Sequence, residues 1–254
     1  MDDLKDKVVL ITGSSSGIGA ATAIDFGASK ARVAVHYNSH AEQAHAVLSE
    51  VRAAGGDGAV FHADVADTAQ LERLASDVCT HFGRIDVLVN NAGSLVQRCA
   101  LIDADDALID RIFHVNARSM LAMCRYVVPM MRRQGGGGSI INLSSQSARG
   151  GGSFGAGLYA SSKAYVNTLT RALAKELASD AIRVNAVSPG VIVTPIHDGY
   201  TSPELLEQLR TGIPMQRLGR ADECSGAILF LASGKRSGYV TGQIIEVNGG
   251  SVMP

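Results

Sequence analysis

Short apolar runs alternate with longer stretches in which apolar residues recur every three or four positions, from one end of the chain to the other. Val8-Val9-Leu10-Ile11 predicts a buried strand, and the stretch from Gly17 to Ala28 a helix. Val33–Val35, Ala59–Phe61, Ile85–Val89, Ile140–Leu143, Ile182–Val187 and Ile244–Val247 read as further strands. Between them, helical periodicity covers Ala41–Ala53, Thr68–Phe82, a long region Asp106–Arg133 with a second segment beginning near Arg111, and Leu158–Ala178. Strict β/α alternation implies parallel strands joined by right-handed crossovers. The expected architecture is a single α/β domain over residues 1–254: a doubly wound parallel sheet of about seven strands with helices on both faces.

No linker divides the chain. Gly135–Gly138 and Gly150–Gly152 flank a single strand and read as loops. The rhythm breaks once, between Thr194 and about Gly219, where Pro195, Pro203 and Pro214 surround a short helical piece. This excursion off the sheet has the length of a lid.

Composition narrows the class. The chain is 46% apolar but only 5% aromatic, with no Trp, which suits strands buried on both faces under close-packed helices. The net charge of −1 and the lack of a basic stripe argue against nucleic acid as a partner. No apolar run reaches the roughly 18 residues of a membrane span. The charged opening Met1-Asp2-Asp3-Leu4-Lys5-Asp6 does not read as a signal peptide, so a cytoplasmic location is expected. Cys79, Cys99, Cys124 and Cys224 share no metal-ligand spacing, and His36, His40 and His45 straddle a strand-to-helix junction, so no metal site is expected.

The first strand runs into Thr12-Gly13-Ser14-Ser15-Ser16-Gly17-Ile18-Gly19, and a helix follows at once. Glycines there let the backbone approach a pyrophosphate, and the helix N-terminus offers unpaired N–H groups. An acidic residue closing the second strand would select NAD(H); here Tyr37-Asn38-Ser39 carries none, while Ser15, Ser16, Asn38 and Ser39 could donate to a 2′-phosphate. NADP(H) is therefore expected ahead of NAD(H). Further on, Tyr159 and Lys163 lie four residues apart on one helical face. An ammonium beside a phenol lowers its pKa from about 10 and makes it a usable acid/base.

With these landmarks the chain resembles the short-chain dehydrogenases/reductases over nearly its whole length. Thr12 to Gly19, Asp64-Val65, Asn90-Asn91-Ala92-Gly93, Asn116, Ser144-Ser145, Tyr159 with Lys163, Pro189-Gly190 followed by Thr194, and Val247-Asn248-Gly249-Gly250 come in that family's order. The resemblance implies a Rossmann fold. It also implies Tyr159 as the acid/base, Lys163 as its modulator and ribose ligand, Ser145 as hydrogen-bond partner of the substrate oxygen, and Asn116 as holder of a water linking Lys163 to solvent. For the cofactor it implies the turn Gly13, Ser15, Ser16, Gly17, Ile18 and Gly19, then Tyr37, Asn38 and Ser39, Asp64 and Val65 flanking the adenine, Asn91, Ala92 and Gly93 in the cleft, and Pro189, Gly190, Val193 and Thr194 toward the nicotinamide. One departure concerns the serine: the family's usual position, 13 residues before the tyrosine, is Gln146 here. Ser145 fits the strand-end pattern better, with Ser147 as the alternative.

The substrate pocket is expected to draw on Gln97, Arg98, Gln146, Arg149, His197, Asp198 and Tyr200. This polar set suits a sugar, polyol or hydroxy acid better than a long acyl chain. The motifs do not separate sugar dehydrogenases from 3-oxoacyl-carrier-protein reductases, and a non-catalytic cofactor-sensing regulator is a reading of another class. The resemblance further implies a homotetramer built on the two long middle helices.

Overall fold

The structure, a computed structural model, describes residues 1–197 and 201–253. Strands β1 (Val8–Ile11), β2 (Arg32–Tyr37), β3 (Asp57–His62), β4 (Val87–Asn90), β5 (Gly138–Leu143), β6 (Ile182–Pro189) and β7 (Ile244–Val247) alternate with helices. These are α1 (Gly17–Ala28), α2 (Ala41–Ala53), α3 (Thr68–Phe82), α4 (Asp106–Phe113), α5 (Ser119–Gln134), the single turn α6 (Ser147–Gly150), α7 (Gly157–Leu177), α8 (Pro203–Thr211), α9 (Ala221–Ala232) and the short α10 (Gly234–Ser237). All seven strands pair in parallel, in the order β3-β2-β1-β4-β5-β6-β7. The expected sheet is present strand for strand. Chain direction across the sheet reverses between β1 and β4, which opens a crevice at their carboxyl ends.

Alternation along each strand divides the core. Val8 and Leu10 join Leu88, Ile140 and Val184 in a layer beneath α3, α5 and α7. Val9 and Ile11 join Val33, Val35, Val89, Ile141 and Val187 beneath α1, α2 and α9. Neighbouring strand residues point to opposite faces, so a run apolar at every position is what a sheet covered on both sides requires. Each Val, Leu or Ile so buried contributes about 1.5–3 kcal/mol.

Local signals set the helix ends. Asp67 caps α3 by accepting from the Ala69 and Gln70 amides, and Gly83 closes it at φ 82°. Ser202 caps α8, with Pro203 in its first turn.

Two elements differ from expectation. The Asp106–Arg133 region is not one helix with a simple restart: α4 and α5 are joined by a π-helical segment, His114–Arg118. The periodicity also gave no sign of α9. Gly226 lies in its interior, and Ile228-Leu229-Phe230-Leu231 makes it apolar nearly all round, so it shows neither good propensity nor an amphipathic stripe. Glu223 nevertheless marks its start by accepting from the Arg220 amide at 2.9 Å. Packed against α1, α9 covers the β5–β6 half of its face. The excursion after Thr194 is present and carries α8. Among the described residues no helix is long and apolar enough to cross a membrane.

Candidate active site

At the crevice between β1 and β4, side chains bind the turns into one piece. Thr12 Oγ1 accepts from the amides of Asn91 and Ala92, each at 3.0 Å. Asn91 Nδ2 donates in return to the carbonyls of Thr12 (2.9 Å) and Gly13 (2.8 Å). Gly13 and Gly17 hold φ of +64° and +56°, a conformation that favours glycine. At Gly19 a Cβ would meet the Gly13 carbonyl at 2.4 Å and Asn91 Nδ2 at 2.5 Å. The turn therefore leaves no room for a side chain at Gly19. Ile18 packs on the apolar layer beneath α1, Ser15 is half-buried and Ser16 is exposed at the helix start.

The catalytic candidates meet nearby. Tyr159 and Lys163 face each other across one turn of α7, with Nζ 5.7 Å from the phenol ring centroid. The Ser145 side chain lies beside the Tyr159 hydroxyl and favours its ionised form. Ser145, 8% exposed at the end of β5, also accepts from the Ser147 amide at 3.1 Å. Ser144 turns instead to the Lys163 carbonyl, and Ser147 opens α6, so Ser145 is the serine placed beside Tyr159. The extra residue between serine and tyrosine is absorbed by α6 and by Gly151, Gly152 and Gly155, all at positive φ.

Lys163 is 2% exposed and donates to the Leu143 carbonyl at 2.7 Å. An ammonium has three donors; among the described residues no second acceptor is present for it. Burial lowers its pKa to about 7. Burial also pushes the Tyr159 phenol up to about 12, with the Ser145 side chain pulling the other way. The sequence suggested that Lys163 would lower the tyrosine pKa. In the protein alone desolvation dominates, because it disfavours the charged form of both groups.

Asn116 sits in the π-helical segment, a departure from α-helix often found at functional sites. Its Nδ2 donates to the carbonyls of Ser94 (2.8 Å) and Ile112 (3.0 Å), and its Oδ1 accepts from the Ser94 amide at 3.0 Å. Both amide protons are thereby engaged by the protein, and only an Oδ1 lone pair is left for a water. Gly93 separates Asn116 from Lys163: a Cβ there would lie 2.8 Å from Oδ1 and 3.2 Å from Nζ.

The remaining cofactor candidates line the same edge. The Tyr37 ring meets His62 at 5.2 Å with the planes tilted by 55°, and Asn38 and Ser39 are exposed, Ser39 within 3.0 Å of His40 Nδ1. Asp64 accepts from the Ala66 amide at 2.9 Å, and Val65 is buried. Thr194 closes on the glycine turn, its Cγ2 3.2 Å from a Cβ built on Gly17. Val193 is exposed. Pro189 ends β6, and Gly190 packs against Asn248 with no space for a side chain.

Substrate-side candidates divide. Gln146 adjoins Ser145 and buries an Oε1 that has no partner among the described residues. Gln97 is exposed. Arg98 ties three segments together, donating to Ser153 Oγ (2.9 Å), the Phe154 carbonyl (3.0 Å) and Thr201 Oγ1 (3.3 Å). The α6 turn carries Arg149 toward β7, where its Nε lies 2.8 Å from Glu246 Oε1. Asp198, Tyr200 and the His197 side chain lie outside the described residues. A cleft of about 380 Å³ opens between the excursion and the loop after β7, at Ile213, Met215, Gly249 and Gly250, and none of its walls is Ser145, Tyr159 or Lys163.

Residues that the motifs did not single out also build the site. Ser94 fixes Asn116. His36 and Ser14 fix the glycine turn: His36 Nδ1 accepts from the Gly13 amide at 2.8 Å, and Ser14 Oγ accepts from the His36 amide at 2.9 Å. The available signal was a histidine at a core position of an otherwise apolar strand.

Residues 13–252 match a family model described as enoyl-(acyl carrier protein) reductase. The 3-oxoacyl-[acyl-carrier-protein] reductase FabG of Staphylococcus aureus is 40% identical over 97% of this chain and 98% of its own. An uncharacterized short-chain type dehydrogenase/reductase of Sinorhizobium fredii is 41% identical over 98% and 99%. Among solved structures, the NADH-dependent reductase A1-R′, described as responsible for alginate metabolism, is 42% identical with a TM-score of 0.90 over the whole of both chains. The same reductase complexed with NAD superposes at 0.87, covering 100% of this chain and 99% of that one. The chain belongs to the short-chain dehydrogenase/reductase family and is an NAD(P)-dependent oxidoreductase that acts between CH–OH and keto groups.

Proposed function

We propose that the protein reduces a ketone of a small polar substrate (a sugar, polyol or hydroxy acid) to a secondary alcohol, with Ser145, Tyr159, Lys163 and Asn116 as its catalytic residues. The observation that carries the reading is the convergence of a half-buried phenol, a buried hydroxyl and a buried ammonium beside the glycine turn.

The residues fit a nicotinamide dinucleotide. At Gly13, Gly17, Gly19 and Gly93 a Cβ would crowd Ala92, Thr194, the Gly13 carbonyl and Asn116, so only glycine lets the turns close in around the crevice. Lys163 keeps donors without a protein acceptor among the described residues, as ribose hydroxyls would need. When bound, the nicotinamide carries the hydride to or from the substrate carbon and, in its oxidised form, a positive charge. Ser145 holds the substrate oxygen, a fixed donor where negative charge develops. Tyr159, kept protonated in the buried cleft, delivers its proton to that oxygen. Lys163, with a pKa near neutrality, would hold the ribose hydroxyls and keep a proton in supply near Tyr159, and Asn116 Oδ1 would hold a water that leads outward. Oxidation runs the same steps in reverse and requires the phenolate.

The polar substrate is supported by the unpartnered Oε1 of Gln146 beside Ser145 and by the sugar-derived chemistry named for the A1-R′ reductase. The FabG relatives favour a second reading, a 3-oxoacyl thioester. NADP(H) is placed ahead of NAD(H) because no carboxylate closes β2 among Tyr37, Asn38 and Ser39, although A1-R′ is NADH-dependent. At least tenfold tighter binding of NAD(H) would reverse that order. A cytoplasmic homotetramer completes the proposal.

A panel of uronates, sugars, polyols, hydroxy acids and 3-oxoacyl thioesters, assayed with both cofactors, separates the substrates. No turnover of any would leave the regulator reading. On the best substrate, Tyr159→Phe lowers kcat by roughly 10²–10⁴ with cofactor affinity unchanged; near-full activity would sink the assignment.

A further inference from the structure

The glycine turn does not face the crevice with all its amides. The Gly13 amide donates to His36 Nδ1 at 2.8 Å, and the Ser14 amide to the His36 carbonyl at 2.9 Å. The His36 amide donates back to Ser14 Oγ at 2.9 Å, and Ser14 Oγ in turn to the Ile11 carbonyl at 2.8 Å. On its other side, His36 Nε2 lies 3.0 Å from the Ala63 carbonyl. A carbonyl can only accept, so Nε2 carries the proton and Nδ1 is left as the acceptor the Gly13 amide needs.

We infer that His36 is a positioning residue for the cofactor: its imidazole, wedged between β1 and β3, sets the start of the phosphate turn so that only the later amides, from Ser15 onward, face an anion. The inference rests on the nicotinamide reading of the site. An imidazolium would present a donor to the Gly13 donor, so the device works only when neutral. The ring is 1% exposed, and burial lowers its pKa to about 4. Two charged or titratable groups act on it, both from the end of β3: His62 opposes protonation and Asp64 favours it. The turn itself contributes only the uncharged Gly13 and Ser14. His36 is thus a fixed post over the neutral range and not a switch.

A side chain shorter than histidine but with an acceptor in the Nδ1 position is asparagine; alanine has none. His36→Ala should raise the dissociation constant for the cofactor at least tenfold at pH 8 while substrate KM at saturating cofactor stays within twofold. His36→Asn should return the constant to within about threefold of the parent. Titrations of NAD(H) and NADP(H) into purified protein, with circular dichroism to verify folding, read both. An alanine variant that folds and binds like the parent overturns the inference. So does an asparagine variant that folds and binds tenfold or more weakly. Should the alanine variant not fold, the asparagine arm decides alone, and an asparagine variant that does not fold counts against the acceptor role. Failure of the parent itself to bind either cofactor refutes the nicotinamide reading instead.

Discussion

The two sides of the crevice are built differently. On the cofactor side, Thr12 and Asn91 cross-link the turns after β1 and β4 with four hydrogen bonds of 2.8–3.0 Å, and three more of 2.8–2.9 Å tie Gly13 and Ser14 to His36 on β2. On the substrate side, among the described residues, the loops after β4 and β5 are joined by the Arg98 guanidinium, which also reaches the excursion at Thr201, and by the Cys99 amide on the Gly155 carbonyl. Leu101, Ile102 and Phe154 stand exposed there, and Val96 is held at φ +60°, where a β-branched residue is strained. The cofactor half is preorganised to one shape for one class of ligand. The substrate half hangs its side chains on loops whose sequence can change without disturbing the sheet, which is how one fold serves many alcohols.

The largest test of that contrast is Gly19→Ala. Its Cβ would fall 2.4 Å from a backbone carbonyl and 2.5 Å from the Asn91 amide nitrogen, neither of which can swing aside without breaking the bonds that define the turn. Overpacking of this kind costs about 3 kcal/mol or more. Cofactor affinity should drop by roughly a hundredfold, read by titration, with a lowered Tm. Unchanged affinity would mean the turn is far softer than its hydrogen bonds imply.

The next test uses pH on the protein without cofactor. His36 titrates near 6.5 when unfolded and about 4 when folded. A depressed pKa gives stability that is present above the unfolded value and lost as pH falls through the folded one. Between pH 6.5 and 4 the cofactor half should therefore lose on the order of 3 kcal/mol. Lys163 follows the same sign at higher pH, adding stability as pH rises from about 7 toward 10.5, whereas the raised pKa of Tyr159 removes stability from about 10 to 12. Urea denaturation from pH 7 to 4 checks the first window, and His36→Asn should flatten it. Equal slopes in parent and variant would assign the acid loss to the carboxylates.

The same contrast explains what could be read without coordinates. Strands such as Val8–Ile11 and the Val33–Val35 part of β2 are fixed by a short-range pattern, apolar at successive positions, that survives in the sequence. Tyr159 and Lys163 were legible because helical spacing alone places them together. The π-helical turn at Asn116 was not, since it arises from the meeting of α4, α5 and the Ser94 loop rather than from its own five residues. Arg149, with its partner Glu246, was not legible for a related reason. Its position near Ser145 in sequence says nothing of the α6 turn, which swings it to Glu246 across 97 residues of chain. His36 was visible but uninterpretable: a buried histidine acquires meaning only with the Gly13 amide opposite.

The smallest expected effect comes from a second glycine. Gly212 follows α8 in the excursion at φ −81°, open to any residue, and a Cβ there would find nothing nearer than the Leu209 carbonyl at 3.5 Å, an ordinary contact. Alanine reduces the freedom of the unfolded chain and, where the native backbone accepts it, stabilises by about 0.4–1 kcal/mol. Gly212→Ala should leave cofactor affinity unchanged and keep Tm level or slightly raised. Set beside Gly19→Ala, it makes the same exchange of atoms, so any difference belongs to the surroundings and not to the residue type. If Gly212→Ala proved as damaging as Gly19→Ala, the excursion would have to be as tightly built as the phosphate turn, and the division of the site into a rigid half and an adaptable half would fail.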